Sequence, residues 1–351
     1  MAQLRIHLDA FRHNVAHLSA IAAPSRTMLA VKADAYGHGM LPIARAALGS
    51  GADSLAVLEV PAGLALREAD IAVPLFAWLH GAHTDFAAAI SADIDLGVSS
   101  RSELARIAQA ASDRPAAVHL KIDTGLHRNG ASAEDWPWLV RDALAAQRSG
   151  RVRIAGLWSH LADASLDDDD AARSAYLDAV QLAYELGVPS AGPERPLLHL
   201  AASSAGIREP AARFDVVRFG IAAYGVSPFD DVDGPGLGLR GTMTLTAEVV
   251  AMDAGHAVLN VGAADGIPSS ILGPSGSGAE VLIGGQRAEV LAVEIDRMIV
   301  GATAALGDTA IVYGPGTQGE PTVEDWAAWA GTIGDEILVR ASRRIPRLFV
   351  G

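Results

Sequence analysis

The chain has 351 residues, half of them apolar, and a formal net charge of −14. That length suffices for one large domain, a smaller one and a sizeable core, while the charge repels phosphate backbones and anionic lipid surfaces, so neither nucleic acid nor membrane is expected as a partner. The absence of cysteine excludes disulfides, thiolate catalysis and cysteine-ligated metals. Small-molecule chemistry is the better expectation. Met1 to His7 contain no apolar core of signal-peptide length, and no later stretch offers ~18 uninterrupted apolar residues, so a cytoplasmic location is expected.

In chain order, Leu4, Ile6 and Leu8 alternate with Arg5, His7 and Asp9, the period of a strand with one buried face. Asp9 then caps a helix through Ala20 with Phe11, Val15 and Leu18 as its apolar stripe. His13 and His17 stand four apart on it, but with no third ligand nearby a solvated face is expected and no metal. The next signal is Ala30-Val31-Lys32-Ala33-Asp34-Ala35-Tyr36-Gly37-His38-Gly39, an apolar run that carries one lysine and breaks at glycines. Desolvation lowers a lysine's pKa and makes the amine nucleophilic enough to form a Schiff base with a carbonyl cofactor. A lysine that snorkels to solvent fits the same spacing.

From residue 27 to residue 220, short apolar runs alternate with alanine-rich amphipathic stretches. Eight strands are expected near 27–33, 53–58, 73–79, 93–98, 117–122, 153–159, 197–201 and 215–219. Eight such units indicate an α/β fold, a closed (β/α)₈ TIM barrel, whose chemistry sits at the carboxyl ends of the strands. The polar residues fall there: Lys32 at the end of the first strand, Lys121 and Asp123 at the fifth, His160 at the sixth, Ser203 and Ser204 after the seventh, Arg218 and Gly220 at the eighth. The Asp167–Asp170 run reads as a solvated helix N-terminus. After Gly225 the pattern turns to period-two alternation over 239–313, a C-terminal β-rich domain with a flexible loop at 273–278 and one helix at 322–331. The expected domains are therefore 1–225 and 226–351.

The ten residues around Lys32, the block Lys121-Ile122-Asp123-Thr124-Gly125 with Arg128, and Val217 to Gly225 together resemble the alanine racemase family, and the resemblance runs almost end to end. It implies pyridoxal 5'-phosphate (PLP) attached to Lys32, which would also be the base on one face of the substrate Cα. It further implies that Tyr36, Ser204 and the backbone of Gly220 and Ile221 hold the phosphate, with Arg218 facing the pyridine nitrogen. Lys121 matches a lysine often carbamylated in the family, positioned to orient Arg128. As an alternative, Lys121 simply pairs with Asp123 or another carboxylate. His160 resembles the histidine beside the second catalytic base. The first strand, 1–9, is expected to join the C-terminal domain, and the protein is expected to be a homodimer with sites completed across the interface.

One motif departs from the family. Where it carries a tyrosine in a Gly-Tyr-x-Asp-Gly turn, the chain reads Gly262-Ala263-Ala264-Asp265-Gly266. Nearby, the family's Cys-Met-Asp reads Glu294-Ile295-Asp296, with Ile295 and Asp296 beside the substrate by the family pattern, and its near-terminal phosphate tyrosine reads Arg343, which is expected to bind phosphate by charge instead. The expectation is a PLP protein acting at Cα of a small amino acid with two-base racemisation impaired or replaced by single-base chemistry. Three alternatives stay open: a functional racemase using another acid, aldolase-type cleavage of a β-hydroxy amino acid with His160 as proton acceptor, and a non-catalytic PLP-binding dimer.

Overall fold

The computed structural model describes residues 1–272, 278–341 and 344–351. The expected flexible loop at 273–277 and the expected phosphate contact Arg343 lie outside the described residues. The chain forms two compact units: Leu18–Lys32 with Gly51–Gly220 make one, and Met1–His17, Ala33–Ser50 and Ile221–Gly351 make the other.

Strand β1 (Gln3–His7) buries Leu4 and Ile6. It stops one residue before the expected Leu8, which instead opens the helix Leu8–Ala22 with Asp9 in its first turn, where the dipole favours a carboxylate. Phe11, Val15 and Leu18 are its buried stripe. His13 and His17 are not a solvated pair. Their rings stack 6.1 Å apart and each Nε2–H donates at 3.0 Å to a backbone carbonyl, of Gly238 and Leu237, fastening the turn Pro235–Leu237.

The first unit is the barrel. Its strands are β2 (Arg26–Ala30), β3 (Ser54–Val57), β4 (Leu75–Ala77), β5 (Ile94–Val98), β6 (Ala116–Lys121), β7 (Val152–Trp158), β8 (Leu197–His199) and β9 (Val216–Phe219). Each overlaps one of the eight expected stretches, all pair in parallel, and helices cover the outer face, which is why the strands read as continuous apolar runs. The seam between β8 and β9 is closed by Asp215, whose N–H donates to the Leu198 carbonyl at 3.0 Å and whose carboxylate accepts from the Leu198 N–H at 2.7 Å.

The second unit is built on a mostly antiparallel sheet of β10 (Met243–Asp253), β11 (His256–Leu259), β12 (Glu280–Ile283), β13 (Gln286–Val293), β14 (Met298–Val300), β15 (Thr309–Tyr313) and β16 (Arg347–Val350). β1 lies between β10, antiparallel, and β16, parallel. The helix Val323–Ala330 is set by a Thr322/Asp325 capping box and by Trp326, fully buried with its indole N–H on the Val312 carbonyl at 2.7 Å. A second helix, Gly334–Arg340, is too short to show a period in the sequence. Among the described residues no helix is long and apolar enough to cross a membrane.

Candidate active site

The lysine segment departs from the expected strand. β2 stops at Ala30, Val31 still donates to the Ala56 carbonyl at 2.9 Å, and Lys32, half-buried, lies beyond the strand end. The following residues Ala33, Asp34, Ala35 and Tyr36 have φ of 51, 56, 54 and 50°, one left-handed turn made of L-residues. Each such residue costs roughly 1–2 kcal/mol, so the surrounding bonds must hold it. Gly37 and Gly39 N–H donate to the Ala33 and Asp34 carbonyls at 3.0 and 2.9 Å, and Asp34 Oδ1 accepts from the Met40 N–H at 2.8 Å. The buried His38 reaches the Ala35 and Tyr36 carbonyls with Nδ1, both at 3.0 Å. Tyr36 is buried with its ring 4.6 Å from Tyr224, and burial drives its phenol pKa up.

In the barrel unit the predicted cations converge. Lys121, the last residue of β6, is buried, donates to Asn129 Oδ1, and lies 4.8 Å over the Trp158 ring. It does not pair with Asp123, whose carboxylate accepts instead from the N–H groups of Gly125 and His127 and the His127 ring, each at 3.1 Å. Burial, then the charges of Arg128 and Arg218, push the Lys121 amine down to about 7. Arg128 is exposed.

Arg218, buried in β9, carries the densest set of bonds. Its two Nη2 hydrogens are shared among the carbonyls of Ser159 and Leu200, at 2.8 and 2.9 Å, and His160 Nδ1, at 3.1 Å, while Nη1 donates to His199 Nδ1 at 3.1 Å. Nε–H and the second Nη1–H have no partner among the described residues. Burial lowers its pKa to about 10, still a cation at neutral pH. His160 therefore accepts at Nδ1 and carries its proton on Nε2. Burial first, then Arg218, Arg128, Lys121 and Lys32, holds its pKa well below the ordinary value.

After β8, two adjacent serines do different things. Ser203 Oγ accepts the Gly220 N–H at 3.0 Å, whereas Ser204 Oγ donates to the Asp163 carboxylate. Ile221 opens the turn Ile221–Tyr224 in the other unit. There too lie Ala263, Ile295 and Asp296. Ala263 is exposed on a short turn, 263–265, bonded to the 294–297 segment by Ala263 N–H to the Glu294 carbonyl at 2.9 Å and Ala264 N–H to the Ile295 carbonyl at 2.8 Å. Asp265 Oδ2 closes the turn on the Gly262 N–H at 3.1 Å. Tyr313, the one tyrosine after residue 224, is buried with its hydroxyl on Met243 Sδ at 3.7 Å.

Sequence reasoning missed Asp95, His119, His199, Asn129 and Trp158. The available signal was polarity: Asp95, His119 and His199 interrupt otherwise apolar barrel strands.

The family described as alanine racemase, N-terminal domain, matches residues 6–228, and its C-terminal domain matches 244–349. An alanine racemase of Frankia casuarinae is 40% identical over 375 residues, covering 98% of this chain and 95% of that protein. One of Thermobifida fusca is 38% identical over 375 residues, covering 100% and 98%. Among solved structures, the alanine racemase from the D-cycloserine producer Streptomyces lavendulae superposes with a TM-score of 0.94 at 36% identity, covering 100% of this chain and 97% of that one.

Proposed function

Because the chain belongs to the alanine racemase family, whose members are PLP-dependent isomerases, we propose that it holds PLP on Lys32 and acts at Cα of a small amino acid, with two-base racemisation impaired. The observation that carries this reading is the pair of buried cations Lys121 and Arg218, 4.8 and 5.2 Å over the same Trp158 ring, with Arg218 on His160 Nδ1 at 3.1 Å. Such a concentration of positive charge in a chain of net charge −14 calls for an anionic ligand, and a phosphate ester plus a substrate carboxylate supply the anions.

The residues present fit the cofactor. Arg218 keeps Nε–H and one Nη1–H for an acceptor such as the pyridine nitrogen, and a guanidinium that does not release its proton leaves that nitrogen unprotonated. For the phosphate we assign Ser203 rather than Ser204. The Gly220 N–H on Ser203 Oγ leaves the hydroxyl hydrogen free to donate, whereas Ser204 is committed to a carboxylate that would repel a phosphate. Tyr36, Gly220 and Ile221 remain the other phosphate groups in this reading.

When bound, PLP supplies an electron sink that acidifies the Cα–H. Lys32 then holds or returns the proton on one face. His160 offers Nε2–H as a donor and has its Nδ1 lone pair taken by Arg218. That works against His160 as acceptor of a hydroxyl proton, and so against the aldolase alternative. On the opposite face the family's phenol position is filled by the Ala263 methyl, and Tyr313 is too buried to replace it. The site is read as completed across a homodimer, each protomer lending its 262–266 turn.

The test is to incubate D- and L-alanine separately in heavy water with the PLP-loaded protein and follow Cα exchange against inversion. Exchange outrunning inversion for one enantiomer is the expected result. Rapid inversion from both would show a second acid at work, and no exchange from either would leave a cofactor-holding dimer.

A further inference from the structure

Arg218 does not end the hydrogen-bond system it belongs to. His199 Nδ1 accepts from the guanidinium at 3.1 Å, His199 Nε2 lies 2.8 Å from His119 Nδ1, and His119 Nε2 lies 3.1 Å from Asp95 Oδ2. The chain crosses the barrel interior from β9 through β8 and β6 to β5.

Its polarity follows from one end. An arginine can only donate, so His199 must accept at Nδ1 and carry its proton on Nε2; His119 must then accept at Nδ1 and donate from Nε2; and Asp95, a carboxylate, closes the chain as acceptor. Every hydrogen is assigned with no freedom left. Around the two histidines water is excluded, Asp95 alone being partly exposed: His199 stacks on Trp158 at 5.6 Å and 5°, and the Phe76 ring lies 4.8 Å from His119 and 5.6 Å from His199. In so dry a place each bond is stronger and an alternative tautomer more costly.

The backbone makes room for this path. β7 lies between β6 and β8, and the His119 ring must pass over it at Gly156, where an added Cβ would stand 2.1 Å from His119 Nδ1. The ladder slips at the same place: Val118 pairs with Ile154 but His119 with Gly156, so Ala155 is an extra residue that sets the glycine opposite the histidine.

We propose that Asp95, His119 and His199 are positioning residues for Arg218, a one-directional hydrogen-bond chain that fixes where the guanidinium aims its two remaining donors, with Gly156 as the gap that lets the chain cross β7. Its effect on the cofactor rests on the PLP reading above; the chain itself does not. The test starts with ¹⁵N-histidine NMR of the wild-type protein, cofactor-free, with His119 and His199 assigned by single substitution. Both rings are expected as the Nε2–H tautomer, and an Nδ1–H signature at either would overturn the proposal. Asp95→Ala removes the terminal acceptor and leaves the His119 Nε2–H without its partner; it is expected to keep the tautomers, which the arginine end sets, to shift the His119 Nε2 resonance, to weaken PLP binding about tenfold, as for one hydrogen bond to a charged group, and to shift the absorbance of bound PLP. Asp95→Asn, which still offers an oxygen, is expected to restore the His119 Nε2 resonance, the affinity and the spectrum. Gly156→Ala should reproduce the Asp95→Ala changes from the other side of the chain. Unchanged PLP affinity and spectrum in a folded Asp95→Ala protein would overturn the proposal. Failure of the wild type itself to bind PLP would instead overturn the cofactor reading.

Discussion

The two units bury charge in opposite ways. In the sheet unit, buried acids are saturated by their own neighbourhood: Glu320 accepts the Gly316 and Gln318 N–H groups at 2.9 and 2.7 Å, and Asp265 accepts the Gly262 N–H at 3.1 Å with Arg344 3.6 Å away. In the barrel unit the buried acid Asp169 sits in the first turn of the helix Leu166–Glu185 and accepts the Asp163 N–H at 3.3 Å, whereas the buried cations Lys121 and Arg218 have neutral partners: an amide oxygen, carbonyls, imidazoles and the face of Trp158. Buried charge without a counter-charge is costly, and it persists where a ligand of opposite sign repays it. The difference teaches that the barrel is built for an anion, whereas the sheet unit's 262–266 turn is complete as structure.

The severest test of this contrast is Lys32→Ala, expected to abolish both the absorbance of attached PLP and all turnover; a spectrum that survives would move the attachment elsewhere. Next in size, Ala263→Tyr puts a phenol on a turn whose backbone bonds do not involve the side chain. It should raise inversion of alanine by about 10²–10⁴-fold, the worth of one positioned acid/base group, read by coupled turnover of each enantiomer. No gain would mean that the turn is not the site of the deficit. Ser203→Ala should weaken PLP binding by about tenfold, and by more than Ser204→Ala does, in equilibrium titrations; the reverse order would return the phosphate to Ser204.

A gentler probe uses pH. With its amine at about 7 in the folded protein and near 10.4 when unfolded, Lys121 is charged in both states below pH 7, where its burial cost is fully felt. Between these values only the unfolded chain is charged at this group, so the cost shrinks as pH rises. Lys121→Met should therefore raise Tm most below pH 7 in CO₂-free buffer, with the gain fading toward pH 10; a pH-independent gain would show that packing alone was responsible.

The barrel was legible because parallel strands covered on both faces are continuous apolar runs, and Lys121 and Arg218 stood out at strand ends once the family blocks were recognised. Three things were not. Ala33 to Ala35 are residues of right-handed habit, and the bonds that hold them left-handed, to Gly37, His38, Gly39 and Met40, follow no period. Ser203 and Ser204 are adjacent and chemically identical, so only orientation distinguishes them. The Asp95–His119–His199 chain joins residues 24 and 80 positions apart, a relation that periodicity cannot carry.

The left-handed turn after Lys32 also bears on how this sequence would respond to selection. Ala33 is exposed with φ of 51°, a conformation in which glycine has no steric penalty. Ala33→Gly should release strain that outweighs the glycine's greater unfolded entropy, a net gain of about 1 kcal/mol. A population screened for heat resistance alone would be drawn to this turn, and one screened for turnover would keep the alanine that stiffens the segment carrying the lysine. Position 33 is thus a place where the two pressures pull a lineage apart.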